Sequence, residues 1–421
     1  MHRFRFPPRR LWMLLSLVWL GTACQPPQSP APAAPRPTPV ILISLDGFRY
    51  DYAGKTDTPA LDRIAREGVR AEGLIPAFPS KTFPNHYTIV TGLYPEHHGL
   101  VSNRMYDPKF DAWYRIGQGS QAVTEGRWYG GEPIWSTVEK AGKIAATMFW
   151  PGSEAEIAGE RPTYWFPYDH TYPNDRRVQQ ILNWMARPKK ERPLFMSLYF
   201  PDTDDAGHHF GPDSSALLPV IREVDHWIGV LLDSLEARQQ LDSVNIMVVS
   251  DHGMAELSPE RVVYLDDYVE TDRLTIIDWW PVLNILIDTS RVDSLYHLLH
   301  GRVPHVRIYK KADVPPELHY SRHYRIPPLV GIVDDGWTLT SHAKAEQSDH
   351  FLWGNHGYDP KNKDMWGILY ARGPAFKADT VIAPIQNIHL YNLMAKIMAV
   401  PPAPNDGDFS RIRFILTPPY R

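Results

Sequence analysis

Five apolar runs divide the chain, at residues 40–45, 144–149, 194–200, 244–250 and 366–370. They do not alternate apolar with polar, which is the character of strands covered on both faces, as in parallel sheets. Between them the spacing changes to that of helices. Val178, Ile181, Leu182 and Met185 fall on one helical face behind a cap at Asn174, and Pro188 closes the segment. Leu217, Ile221, Val224, Ile228, Leu231 and Leu235 predict a longer helix, and Leu390, Leu393, Met394 and Ile397 one near the C-terminus. Strand and helix in alternation predict an α/β fold with a mostly parallel central sheet and helices on both faces, in one catalytic domain over residues 40–421. Residues 113–134 and 304–349, rich in Gly, Pro, His and aromatics, read as loops or small insertions over the site.

The N-terminus follows another logic. Arg3, Arg5, Arg9 and Arg10 precede an apolar stretch at 11–20, ahead of Gly21-Thr22-Ala23-Cys24. This is the layout of a secretory signal. Ten helical residues reach only about 15 Å against a hydrocarbon core of roughly 30 Å, too short to span. Cys24 is the only cysteine and stands where bacterial lipoproteins are cut and acylated, so residues 1–24 read as a signal with a lipid-anchored cysteine. The protein is expected to be exported to the periplasm or cell surface, touching membrane only through that anchor. With one cysteine no internal disulfide can form, so the fold rests on its core. Residues 25–39 hold seven prolines and predict an extended spacer of up to about 45 Å. The net charge of −4 supplies no basic footprint for a nucleic-acid duplex, so the expected partner is a small nucleotide or phosphodiester.

The chemistry gathers where predicted strands end. Asp46 follows the first run, Asp204 and His208 the third, and Asp251-His252-Gly253 the fourth. In open α/β sheets the ligand site lies beyond the carboxyl ends of the strands, so carboxylates and imidazoles arriving there repeatedly point to one shared metal site. Asp204 and His208 are four residues apart, the spacing that brings two side chains to one helical face; Asp205 and His209 share it, and spacing alone leaves both registers open. His356 sits between Asn355 and Gly357. Pro84 fits the first turn of a helix with Thr82 at its cap, where a hydroxyl meets the positive helix end and free N–H groups. Threonine needs a base or a metal to act as a nucleophile.

Leu45-Asp46-Gly47, Thr82-Phe83-Pro84-Asn85-His86, Thr91-Gly92-Leu93-Tyr94-Pro95-Glu96, Gly131-Glu132-Pro133, Trp150-Pro151-Gly152-Ser153, Gly207-His208, Ser250-Asp251-His252-Gly253 and His356-Gly357-Tyr358-Asp359 together resemble the nucleotide pyrophosphatase/phosphodiesterase family of the alkaline phosphatase superfamily. The resemblance implies an alkaline-phosphatase-like α/β fold and two zinc ions, one held by Asp46, Thr82, Asp251 and His252, the other by Asp204, His208 and His356. It also implies hydrolysis of nucleotide phosphodiester or phosphoanhydride bonds through a phosphothreonine at Thr82, for example a nucleoside triphosphate to the monophosphate and pyrophosphate. Asn103 is then the donor to the phosphoryl oxygen, and Phe83 and Tyr168 resemble the family's aromatic pair around a base. The chain departs from the family at Asp202-Thr203-Asp204, where many members have Glu-Pro-Asp, and it lacks a counterpart before Trp128 for a lysine some members place near the phosphates.

Three alternatives stand beside this reading. A phosphomonoesterase would use the same metals and nucleophile, a phosphodiesterase could act on choline-type lipid headgroups, and a surface lipoprotein could bind metal or ligand without turnover. A sulfatase is excluded, since its nucleophile loop needs a Cys or Ser followed by Pro and Arg.

Overall fold

The computed structural model describes residues 1–2, 37–117, 119–347 and 350–421. The expected export signal beyond His2, the expected anchor at Cys24 and all but the last three residues of the proline-rich spacer lie outside the described residues. From Ala34 to Arg421 the chain forms one unit.

Its centre is an eight-stranded sheet of β1 (Val40–Leu45), β2 (Val69–Ala71), β3 (Ala145–Met148), β4 (Tyr164–Trp165), β5 (Phe195–Phe200), β6 (Asn245–Val249), β7 (Leu369–Arg372) and β8 (Thr380–Ile382), in the order β8-β2-β7-β6-β1-β5-β3-β4. Every residue of β1, β5 and β6 is buried, as their unbroken apolar runs require. Successive β1 side chains feed opposite cores: Val40 and Leu42 point into one, Ile41, Ile43 and Leu45 into the other. Burying each stabilises the fold by about 1.5–3 kcal/mol. Within the sheet only β7 runs against its neighbours. It starts at Leu369, three residues later than the run at 366–370 predicts, because Trp366 and Gly367 instead pair with Tyr50 and Leu74.

The longer helices packed around this sheet include α1 (Pro59–Glu67), α2 (Thr82–Thr91), α3 (Ile134–Lys140), α4 (Asn174–Met185), α5 (Asp202–Phe210), α6 (Leu218–Ala237) and α7 (Leu390–Met398). Two predicted caps shift by one residue. Pro173 caps α4, and the Asn174 side chain donates to Asp202 instead. Lys81 holds the cap position of α2, so Thr82 is its first helical residue.

The expectation of loops over 304–349 is corrected. Val306–Lys310 and Leu329–Val333 are strands of a second, four-stranded antiparallel sheet with Thr275–Asp278 and Val282–Leu286, built on its own apolar core. Within 304–349 its two strands are separated by residues 311–328, which hold four prolines and two histidines and mask the strands in composition.

Candidate active site and metal centre

Because β1, β5 and β6 are adjacent and parallel, whatever follows them converges at one end of the sheet. Asp46 follows β1, Asp251 and His252 follow β6, and β5 leads through Pro201 into α5, which carries Asp204 and His208. His356 is delivered by a short antiparallel pairing of Ala255–Glu256 with Gly354–Asn355, which lays its ring on His252 at 3.5 Å and 9°. Gly47 has a φ of +64°, and a side chain there would meet Asp204 Oδ1 at 2.8 Å. A turn that must bring Asp46 and Asp204 together leaves no room for a Cβ.

All seven expected metal ligands meet in this cluster. Around His252 Nε2 lie Asp251 Oδ2 at 3.0 Å, Thr82 Oγ1 at 3.3 Å and Asp46 Oδ1 at 3.4 Å. Asp204 reaches His208 Nε2 at 3.5 Å through one oxygen and His356 Nε2 at 3.6 Å through the other. Four ligands about 2.0 Å from a tetrahedral ion lie roughly 3.3 Å from one another, close to the spacing around His252.

Hydrogen bonding shows which donors are open. Nδ1 of His208, His252 and His356 lies within 2.9 Å of the carbonyls of Gly354, Gly253 and Ser80 respectively. That pairing fixes each ring and turns Nε2 inward, the usual second partner of a ligating histidine. Asp46 Oδ1, Asp204 Oδ1 and Asp251 Oδ2 are buried with no hydrogen-bond partner. Buried polar atoms normally have partners, so three unpaired carboxylate oxygens facing three inward imidazoles fit a cation centre.

The electrostatics agree. Burial, with His252 and His208 alongside, holds His356 well below the ordinary imidazole range, so it stands neutral and able to donate a lone pair. Burial pushes the Asp251 carboxyl up, but His252 and His86 outweigh it and keep it well below the usual range. Burial and the nearby carboxylates of Asp251 and Asp204 drive Asp46 well above its range. Such crowding of carboxylates is what a cation relieves.

His86 shows why nearness is insufficient. It groups with Asp46 and Asp251 by distance, yet Nε2 is bonded to Ser44 Oγ at 2.8 Å and Nδ1 to Thr82 O at 2.9 Å. Neither nitrogen is open.

Asn103 accepts the Phe83 N–H at 3.0 Å through Oδ1. That directs its amide donor away from the helix, and it removes one of the free N–H groups expected at the start of α2. Thr82 and Phe83 border a cavity of about 390 Å³ whose wall includes Ile116, Trp150 and Tyr168. The loop after residue 113 thus lies over the site as expected. Tyr168 sits edge-on to Phe149 at 5.3 Å.

Sequence reasoning missed two contributors. The Tyr199 hydroxyl donates to Asp46 Oδ2 at 2.6 Å, a role visible only once β5 lies beside β1. Glu154, in the cavity wall, has its carboxyl raised by burial; it directly follows the Trp150-Pro151-Gly152-Ser153 block.

Comparison with known proteins matches residues 40–359 to the family model described as type I phosphodiesterase/nucleotide pyrophosphatase. Human ectonucleotide pyrophosphatase/phosphodiesterase family member 5 is 37% identical over 90% of this chain and 78% of its own length. A bis(5'-adenosyl)-triphosphatase of Xenopus laevis is 34% identical over 96% of this chain and 86% of its own. Among solved structures, an inactive threonine-to-alanine variant of the murine member 5 in complex with AMP superimposes with a TM-score of 0.86 at 35% identity, covering 90% of this chain and 100% of that one. The fold is alkaline-phosphatase-like, and the residue groups suit a metal-dependent hydrolase. The chain belongs to the type I phosphodiesterase/nucleotide pyrophosphatase family.

Proposed function

We propose that the protein cleaves phosphodiester or phosphoanhydride bonds of small nucleotides by attack of Thr82 Oγ1 on phosphorus. The observation that carries this reading is that the Thr82 hydroxyl stands between the cluster of open donors and an aromatic-walled cavity. Asp46, Thr82, Asp251 and His252 would hold one zinc ion and Asp204, His208 and His356 the other; bound there, the pair supplies positive charge and Lewis acidity to the phosphoryl oxygens. The Thr82 hydroxyl gives up its proton and its oxygen bonds to phosphorus as the bond to the leaving oxygen breaks, giving a phosphothreonine; water then attacks phosphorus, the bond to Thr82 breaks, and the nucleoside monophosphate leaves as Thr82 regains a proton. Asn103 offers its amide to the phosphoryl oxygen on which charge develops. Phe83 and Tyr168 flank the base. AMP bound to the murine relative, inactive as a threonine-to-alanine variant, and the dinucleoside triphosphate in the name of the amphibian one support a nucleotide substrate.

One observation favours a second reading. Glu154 among the cavity's aromatic rings would also suit the quaternary ammonium of a choline headgroup. In either case, residues 1–24 export the chain and Cys24 carries a lipid. No helix among the described residues is long and apolar enough to cross a membrane.

The test compares the nitrophenyl ester of thymidine monophosphate with glycerophosphocholine and nitrophenyl phosphate, before and after chelation. Preference for the thymidine ester, lost on chelation and restored by zinc, is expected. Preference for either of the others, or turnover indifferent to chelation, overturns the reading.

A further inference from the structure

Arg177, in α4, is 1% exposed and forms no ion pair among the described residues. Carbonyl oxygens surround it instead. Nε donates to Tyr172 O at 2.8 Å, Nη1 to Tyr199 O at 2.8 Å, and Nη2 to His170 O at 3.2 Å and Asp169 O at 3.4 Å. The guanidinium carbon lies 5.0 Å from the centre of the Phe149 ring.

Three of the four carbonyls belong to the turn directly after Tyr168. The fourth belongs to Tyr199, whose hydroxyl holds Asp46. Phe149, under the guanidinium, meets Tyr168 edge-on at 5.3 Å and Tyr172 at 5.7 Å. One planar cation therefore ties the Tyr168 wall of the cavity to the strand that steadies an expected metal ligand. Burying a charge without a counter-ion is costly, and an apolar residue would fill the same space more cheaply. What an apolar residue cannot do is fix several carbonyls at once, and the rigid fork of arginine suits that task better than lysine.

We propose that Arg177 is a positioning residue that sets selectivity for the nucleoside part of the substrate by holding Tyr168 against the cavity. The proposal rests on the nucleotide reading above. It does not touch substrate; it acts through the 169–172 turn.

The test measures kcat and KM for the nitrophenyl ester of thymidine monophosphate and for bis(nitrophenyl) phosphate, which carries no nucleoside. The proteins are wild type, Arg177→Lys, Tyr168→Ala and the double variant. Loss of one stacking wall lowers the ratio of the two kcat/KM values about tenfold, mainly through KM for the thymidine ester. Arg177→Lys should produce that fall, and the double variant should fall no further than Tyr168→Ala alone. If the lysine variant does not fold, Arg177→Gln, with neutral donors, is measured in its place with the same expectation. Equal losses on both substrates, or losses that multiply in the double variant, overturn the proposal while leaving the nucleotide reading intact. A wild type without preference for the thymidine ester removes that reading, and this proposal with it.

Discussion

Asp251 divides two regions that look alike in composition. On one side His252 lies 3.0 Å from its Oδ2; on the other His86 lies 3.2 Å from the same oxygen. Both imidazoles are fully buried. The His252 side pairs Nδ1 with the Gly253 carbonyl and turns Nε2 to the Thr82 hydroxyl and to carboxylate oxygens of Asp46 and Asp251, all of them expected ligands. The His86 side is closed, with Ser44 and the Thr82 carbonyl occupying both nitrogens. His98 follows the His86 pattern: it pairs Nε2 with Thr88 and accepts the Leu100 N–H at Nδ1. Burial and proximity to a carboxylate therefore do not mark a ligand. An inward nitrogen whose neighbours are themselves candidate ligands does, because a cation can replace those contacts with coordination.

Three experiments can break or sharpen that contrast. The largest effect is expected for Thr82→Ala, which should lower kcat by at least about a thousandfold while elemental analysis still finds metal; full activity would remove the covalent step. Next, the two regions should separate under substitution. His356→Ala should lower the metal bound per chain, whereas His86→Gln should retain it and show instead a loss of stability of about 1–3 kcal/mol from unpaired buried groups, read by urea unfolding. Loss of metal from the His86 variant would erase the distinction. The smallest effect concerns pH. Burial holds His98 down to about 3 and His323 down to about 4, both below the ordinary 6.5. Between about pH 4 and 6.5 the unfolded chain therefore binds protons that the native state does not, so their contribution is present above 6.5 and lost as pH falls. Urea unfolding of the chelated protein should show stability falling from pH 7 to 4.5, with a shallower slope in His98→Gln. An unchanged slope would mean that His98 is not held neutral by its surroundings.

The legible parts of the molecule were those written in short contiguous pieces. β1, β5 and β6 could be read because strands covered on both faces are apolar at every position, and the ligands could be read because each follows a strand or sits in a compact block. Tyr199 could not: its hydroxyl matters only because β5 pairs with β1, with Tyr199 opposite Ser44. Arg177 reads as one charged residue in an amphipathic helix until the turn it binds is seen to fold back on it. The second sheet was hidden because residues 311–328 between its strands, rich in Pro and His, dominate the composition of 304–349. The Asp204 register was open on spacing alone. In the fold, Asp204 and His208 point into the cluster, while Asp205 and His209 are exposed, with Asp205 paired to His170 on the outside.

Thr38, whose N–H reaches the Ile397 carbonyl, brings the chain into the sheet at the amino end of β1, while Asp46 leaves from the carboxyl end. The six residues of β1 span about 20 Å along the strand direction. The described chain therefore enters the domain at the end of β1 opposite the one that carries the site.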